Sequence, residues 1–239
     1  MTNDKKTAVD IIAGIDIDAI VRKSLVTAGA PSQLDEGYVA QAKTYPQVSE
    51  LVSAKTKASH KDLYTGYVEA LNRTAAELDT ADRADAGPNK STFRDLKLSE
   101  AHNANAVWLH ELYFANCFDP HSEVYMNTKS YMRLERDWGT FDDAQRDIVA
   151  CCMAARDGWM VLGYSMFLKR LVCTIVDDNS VNVMFGVYPV LVLDMHEHAY
   201  YRDYLTDKTS YIVAMMREIN WQVVEERFAR LEKIEAALK

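Results

Sequence analysis

Residues 189–204 read PVLVLDMHEHAYYRDY. Pro189 to Leu193 is a near-continuous apolar run, the pattern of a buried strand, and it stops at Asp194. His198 follows four residues later, and the stretch from His198 to Leu205 has helical character. A strand that turns into a helix here directs the Asp194 and His198 side chains toward one spot. A carboxylate beside an imidazole is good ligation for manganese, iron or zinc. An Asp four residues before a His also occurs in a purely structural role, as the strand-end cap of a helix.

The chain has 239 residues, room for one large domain or two small ones. Hydrophobic residues make up 49% and charged residues 26%, an ordinary globular balance. Lys plus Arg is 27 against 35 for Asp plus Glu, giving a net charge of −8. That balance lacks the basic footprint of a nucleic-acid binder and disfavours an anionic membrane surface. No apolar run reaches the roughly 18 residues of a membrane span. The apolar N-terminal stretch is cut by Asp10, Asp16 and Asp18 and is no export signal. A cytoplasmic address is the resulting expectation. Cys117, Cys151, Cys152 and Cys173 match no zinc spacing and are read as reduced, mostly buried small apolar residues.

Outward from the central stretch, the pattern divides the chain. Ile17, Ile20, Val21 and Leu25 predict a short amphipathic helix from about Asp16 to Thr27, followed by Pro31 and Pro46. Ser49 to Leu78 reads as one long helix, with His60 on its apolar face beside Leu63, Tyr64, Tyr67, Val68 and Leu71. Gly87-Pro88 breaks the chain, and Leu96 to Phe118 reads as a second long helix, ended by Asp119-Pro120. There His110 shares a stripe with Val107, Tyr113 and Phe114; His102 and His121 are expected at the surface. Phe141 to Met160 reads as a helix capped by Thr140, with Asp142 and Asp143 in its first turn. Phe167 to Val176, Val181 to Val187 and Pro189 to Leu193 are β-rich, and Ser210 to Leu238 is helical. The predicted class is α+β: a long N-terminal helical hairpin, then a C-terminal unit with a small, about three-stranded antiparallel sheet. The predicted division is an extension over 1–48, the hairpin over 49–121 and the C-terminal unit over 122–239.

The stretch 189–204 resembles the metal signature of the iron/manganese superoxide dismutases, D-x-W-E-H-A-Y-Y-x-D-Y, departing from it at the Trp, which is His196 here. Further segments are similar in the same order: LVSAKTKASH (51–60), HNANAVWLHELYFANCFDP (102–120), RDWGTFDDAQRDIVACCMAARDGWMVL (136–162) and Ile219-Asn220-Trp221. The resemblance spans about residues 49–235. It implies His60, His110, Asp194 and His198 as ligands of one iron or manganese ion. It also implies conversion of superoxide to dioxygen and hydrogen peroxide. Tyr67 resembles the family's pocket Tyr, one residue out of register, and Tyr64 competes for the role. Glu197 and Tyr201 match residues that imply a homodimer interface.

Where the chain departs from the pattern, the residues around the ligands differ. The two positions where the family places a tuning Gln hold Ala106 and, in the sheet, no Gln; Asp178 or Asn179 lies nearest the second. Trp159 is kept, but the family's next Trp is Val161. His196 either hydrogen-bonds solvent near the metal or faces bulk solvent. The expectation is an intact ligand set with altered tuning, and dismutation retuned or weakened. Two other readings are a dismutase fold used as a structural component, with a partner on the N-terminal extension, and a metal-dependent oxidase of another substrate.

Overall fold

The computed structural model describes residues 40–43, 45, 50–117 and 123–237. The predicted helix over 16–27, the prolines at 31 and 46, and His121 lie outside them. Helix α1, Ala54–Thr80, begins where the Ser53 side chain accepts from the Thr56 N–H, five residues later than the periodicity suggests. Helix α2, Thr92–Asn116, is capped by Ser91 in the same way and packs along α1. These two long helices form the hairpin.

A short helix that the hydrophobic pattern did not disclose, α3 (Lys129–Trp138), ends at Gly139, whose φ of 91° suits a residue without a Cβ. Helix α4, Phe141–Ala154, opens on the expected Thr140 cap, with Asp142 and Asp143 at its positive end. It does not continue to Met160. The chain leaves the helix at Ala155, and Gly158–Ser165 is strand β1. A Cβ on Gly158 would collide with the Val176 carbonyl, so only glycine lets the next strand close on this one.

Strands β2 (Arg170–Asp177) and β3 (Val187–Asp194) flank β1 on either side, both antiparallel to it, giving the order β2-β1-β3. Of the β-rich run Val181 to Val187, only Val187 belongs to a strand, as the first residue of β3. Val181 makes a single bridge to Asp177, Asn182 and Gly186 take positive φ, and Val183, Met184 and Phe185 are exposed. These apolar residues have no sheet neighbour that would hold them extended. Helix α5, Glu197–Tyr204, follows β3 directly.

The expected helix over 210–238 is two, α6 (Lys208–Glu218) and α7 (Trp221–Ala237). Asn220 divides them: its side-chain oxygen accepts from the Gln222 and Val223 N–H groups, which starts a new helix. From α7 the buried Arg227 guanidinium donates to the Val190 carbonyl on β3 and to the Leu112 carbonyl and Asn116 side chain on α2. Asn116 in turn donates to the Val192 carbonyl. One charged group thus ties the hairpin to the sheet, and burial lowers its pKa to about 10. No helix among the described residues is long and apolar enough to cross a membrane.

Candidate metal centre

Three of the four expected ligands are buried: His60 on the inner face of α1, His110 on α2 and Asp194 at the end of β3, while His198 at the start of α5 is partly open. One donor atom from each lies within 4.8 Å of the donors from the other three. His60 Nε2 stands 3.0 Å and His198 Nε2 3.2 Å from Asp194 Oδ2. His110 Nδ1 donates to the Ala106 carbonyl one turn back, at 2.7 Å, which leaves Nε2 as the bare nitrogen. His110 Nε2 is buried without a hydrogen-bond partner, and His60 Nε2, though close to Asp194 Oδ2, makes no aligned hydrogen bond either. Orphaned nitrogens aimed at a shared point beside a carboxylate are what a bound cation would satisfy. Three imidazoles and one carboxylate suit iron or manganese.

The electrostatics keep this donor set ready to ligate. Burial pushes the His110 imidazole down to about 3, helped by the neighbouring His60, and burial likewise lowers His60. Burial alone would raise Asp194, but His198, with the close approach of His196 and His60, holds it well below the usual carboxylate range. Neutral imidazoles and an ionised carboxylate are the forms that bind metal.

His196 does not face solvent. It is 6% exposed, its Nδ1 bonds Asp194 Oδ1 at 2.8 Å, and its backbone N–H donates to the same oxygen at 2.9 Å. Asp194 is therefore divided, with Oδ1 held by His196 and Oδ2 turned to His60 and His198. Trp159 packs edge-on against His110 and His196, with ring centres 4.8 and 5.3 Å away.

Trp159 Nε1 donates to Asn179 Oδ1 at 2.8 Å. An indole nitrogen only donates, so the Asn179 amide must turn its nitrogen to Tyr67 Oη and His102 Nε2, each 3.4 Å away. Asn179 has φ 64°, a left-handed turn that accompanies its buried side chain's approach to Trp159 and Tyr67, whereas Asp178 is exposed. Of the two tyrosines, Tyr64 commits its hydroxyl to Glu111 Oε1 at 3.0 Å, and Tyr67 lies against His110, centroids 5.4 Å apart. Glu197 and Tyr201 are exposed near His198, lining an open cleft of about 610 Å³ with Ser59, Leu63 and Arg202.

His102, expected at the surface, is instead half-buried against Tyr67. The signal was available: 102, 106 and 110 lie four apart, on one stripe of α2. Tyr211 was not singled out either; its hydroxyl donates to the Asp194 carbonyl at 2.9 Å and meets Tyr113 Oη at 3.2 Å.

The family model for the C-terminal domain of iron/manganese superoxide dismutases matches residues 127–227. An iron superoxide dismutase of Aquifex pyrophilus is 37% identical over 198 residues, which is 81% of this chain and 92% of the relative. The chain belongs to the iron/manganese superoxide dismutase family. The iron superoxide dismutase of Aquifex aeolicus (strain VF5) shows the same 37% identity over the same shares of the two chains. A manganese superoxide dismutase of Haloarcula marismortui is 28% identical over 185 residues, 77% of this chain and 87% of that one. Superoxide dismutases named for either metal are therefore among its relatives.

Proposed function

We propose that this chain converts superoxide to dioxygen and hydrogen peroxide at one iron or manganese ion per subunit. The convergence of His60, His110, Asp194 and His198 within 4.8 Å carries the reading. The chemistry such an ion supplies is the exchange of one electron between its trivalent and divalent states. The chain does the rest. Its three imidazoles and one carboxylate would hold the ion, and the Asp194 charge would favour the trivalent state. His196 bonds Asp194 Oδ1 and so draws charge from that carboxylate, in place of the Trp usual in the family. Because Asn179 donates to Tyr67, the phenol keeps its own proton free to donate into the site. Burial raises the Tyr67 pKa, which keeps that proton in place. We assign Tyr67 and His196 to act beside the reacting atoms, with Trp159 and Asn179 positioning them.

Iron and manganese content, measured on the same preparation as superoxide turnover, tests the reading. Turnover is expected to rise in proportion to metal content, up to one ion per subunit. A fully loaded protein that fails to dismutate would overturn it in favour of a structural role for the fold.

The same reading makes the protein a cytoplasmic homodimer. Glu197 and Tyr201 would sit at its interface and Glu197 would reach the other subunit, which their exposure beside His198 supports. Residues 1–48 would be an extension that docks a partner, 49–121 the hairpin domain and 122–239 the metal-binding domain. Sedimentation of Glu197→Ala, and of the chain without its extension, checks these assignments: the first is expected to shift toward monomer, the second to lose the partner and keep its metal.

A further inference from the structure

Away from the four-residue centre, α4 and β2 bring together a different donor set. Asp147 and Cys151 are four residues apart on α4, so both project from one face of the helix. Cys173 lies on β2 and shares one face of the strand with Leu171 and Ile175. One donor atom each from Asp147, Cys151 and Cys173 lies within 4.8 Å of the other two. All three residues are half-buried, whereas Cys117 and Cys152 are buried. All four cysteines are free thiols, as expected, but only Cys117 and Cys152 are buried.

We propose that Asp147, Cys151 and Cys173 form a second metal site, taking a zinc-class divalent cation through two thiolates and one carboxylate. Sulfur donors select soft or borderline cations such as zinc and cadmium over iron(III) or manganese. Three protein donors on a partly open surface leave a coordination position for water. The carboxylate is already oriented: Trp138 Nε1 donates to Asp147 Oδ2 at 3.0 Å, the kind of outer hydrogen bond that fixes a ligand. The thiols share a hydrogen bond, which draws the Cys151 pKa below its ordinary value and raises that of Cys173. Cation binding replaces the shared proton and releases the thiol protons to solvent. The site is independent of the redox ion, since none of its residues belongs to the other centre.

The test uses the whole, reduced protein with its four-residue centre already loaded with manganese. Zinc and then cadmium are titrated in, while bound metal and the ultraviolet thiolate-to-cadmium absorption are followed. One additional equivalent is expected, with the sulfur band and proton release, and with manganese content unchanged. Cys151→Ser and Cys173→Ser are expected to abolish the band. Asp147→Asn keeps both sulfurs and loses affinity, and Trp138→Phe lowers affinity roughly tenfold. A wild-type protein that takes no extra cation overturns the proposal, as does a sulfur band that survives Cys173→Ser. Isolation of the pair as a disulfide from protein handled without oxidant overturns it as well.

Discussion

His60, His110, Asp194 and His198 come from four elements strewn between residues 60 and 198, and all but His198 are buried. Asp147, Cys151 and Cys173 come from one helix and one strand, with two of the three a single turn apart, and each is half-open. The first cluster exists only when the hairpin is seated on the sheet. The second needs only α4 lying on β2. Burial also sets their chemistry apart. In the first it strips protons from imidazoles, while in the second a proton is shared between sulfurs.

The largest expected effect separates the two outright. His110→Ala or Asp194→Ala removes a donor and is expected to cut iron or manganese affinity by more than about 100-fold, beyond the loss of an outer partner. Superoxide turnover falls with it, and cadmium uptake at Cys151 and Cys173 is unchanged. Metal analysis of the two variants measures both.

A pH series sharpens the contrast in the metal-free protein. In the unfolded chain histidines titrate near about 6.5, whereas folded His110 is held at about 3 and His60 is lowered as well. Between those values the unfolded chain binds more protons, so stability falls as pH drops from about 6.5 toward about 3. Asp194, whose folded pKa is depressed, adds a further loss below its unfolded value of about 3.9. His196 acts oppositely: burial opposes its protonation, but Asp194 raises its pKa, so its contribution disappears as pH rises through the folded value. Melting temperatures across the range should show the acid-side decline in wild type and keep it in the cysteine variants.

Arg227→Met tests the seating of the hairpin. It leaves the Val190 and Leu112 carbonyls without their donor and is expected to cost about 2 kcal/mol, read from denaturant midpoints. The smallest effect is on tuning. Asn179→Ala unties Trp159 from Tyr67 and is expected to slow turnover roughly tenfold at full metal content. Both leave the sulfur cluster intact.

The same contrast explains what the sequence discloses. Asp194 and His198 are legible because a continuous apolar run delivers the one and a helical spacing places the other. His60 and His110 are legible as residues on apolar stripes, and the family pattern joins them to the pair. The strand at Gly158–Ser165 is not legible, since a short apolar run after a helix reads equally as more helix. Asn179 is hidden because its direction depends on a left-handed turn that spacing does not report. Asp147 and Cys151 are visible as a helical pair, yet the approach of Cys173 depends on how α4 lies against the sheet. Val181 to Phe185 misleads for the opposite reason: the run is mostly apolar, but no neighbouring strand or core receives Val183, Met184 and Phe185.

β1 is the middle strand of the sheet, and each of its eight residues is buried. Its amides can meet solvent water only when the whole sheet comes apart, so deuterium should reach them last. Trp159, rooted in that strand, makes the floor of the pocket the most durable part of it. The outer face of α1 is open along its length, so the wall that carries His60 is expected to exchange ahead of that floor. Slow leakage of a bound ion on warming would then report the fraying of one helix, long before the protein melts.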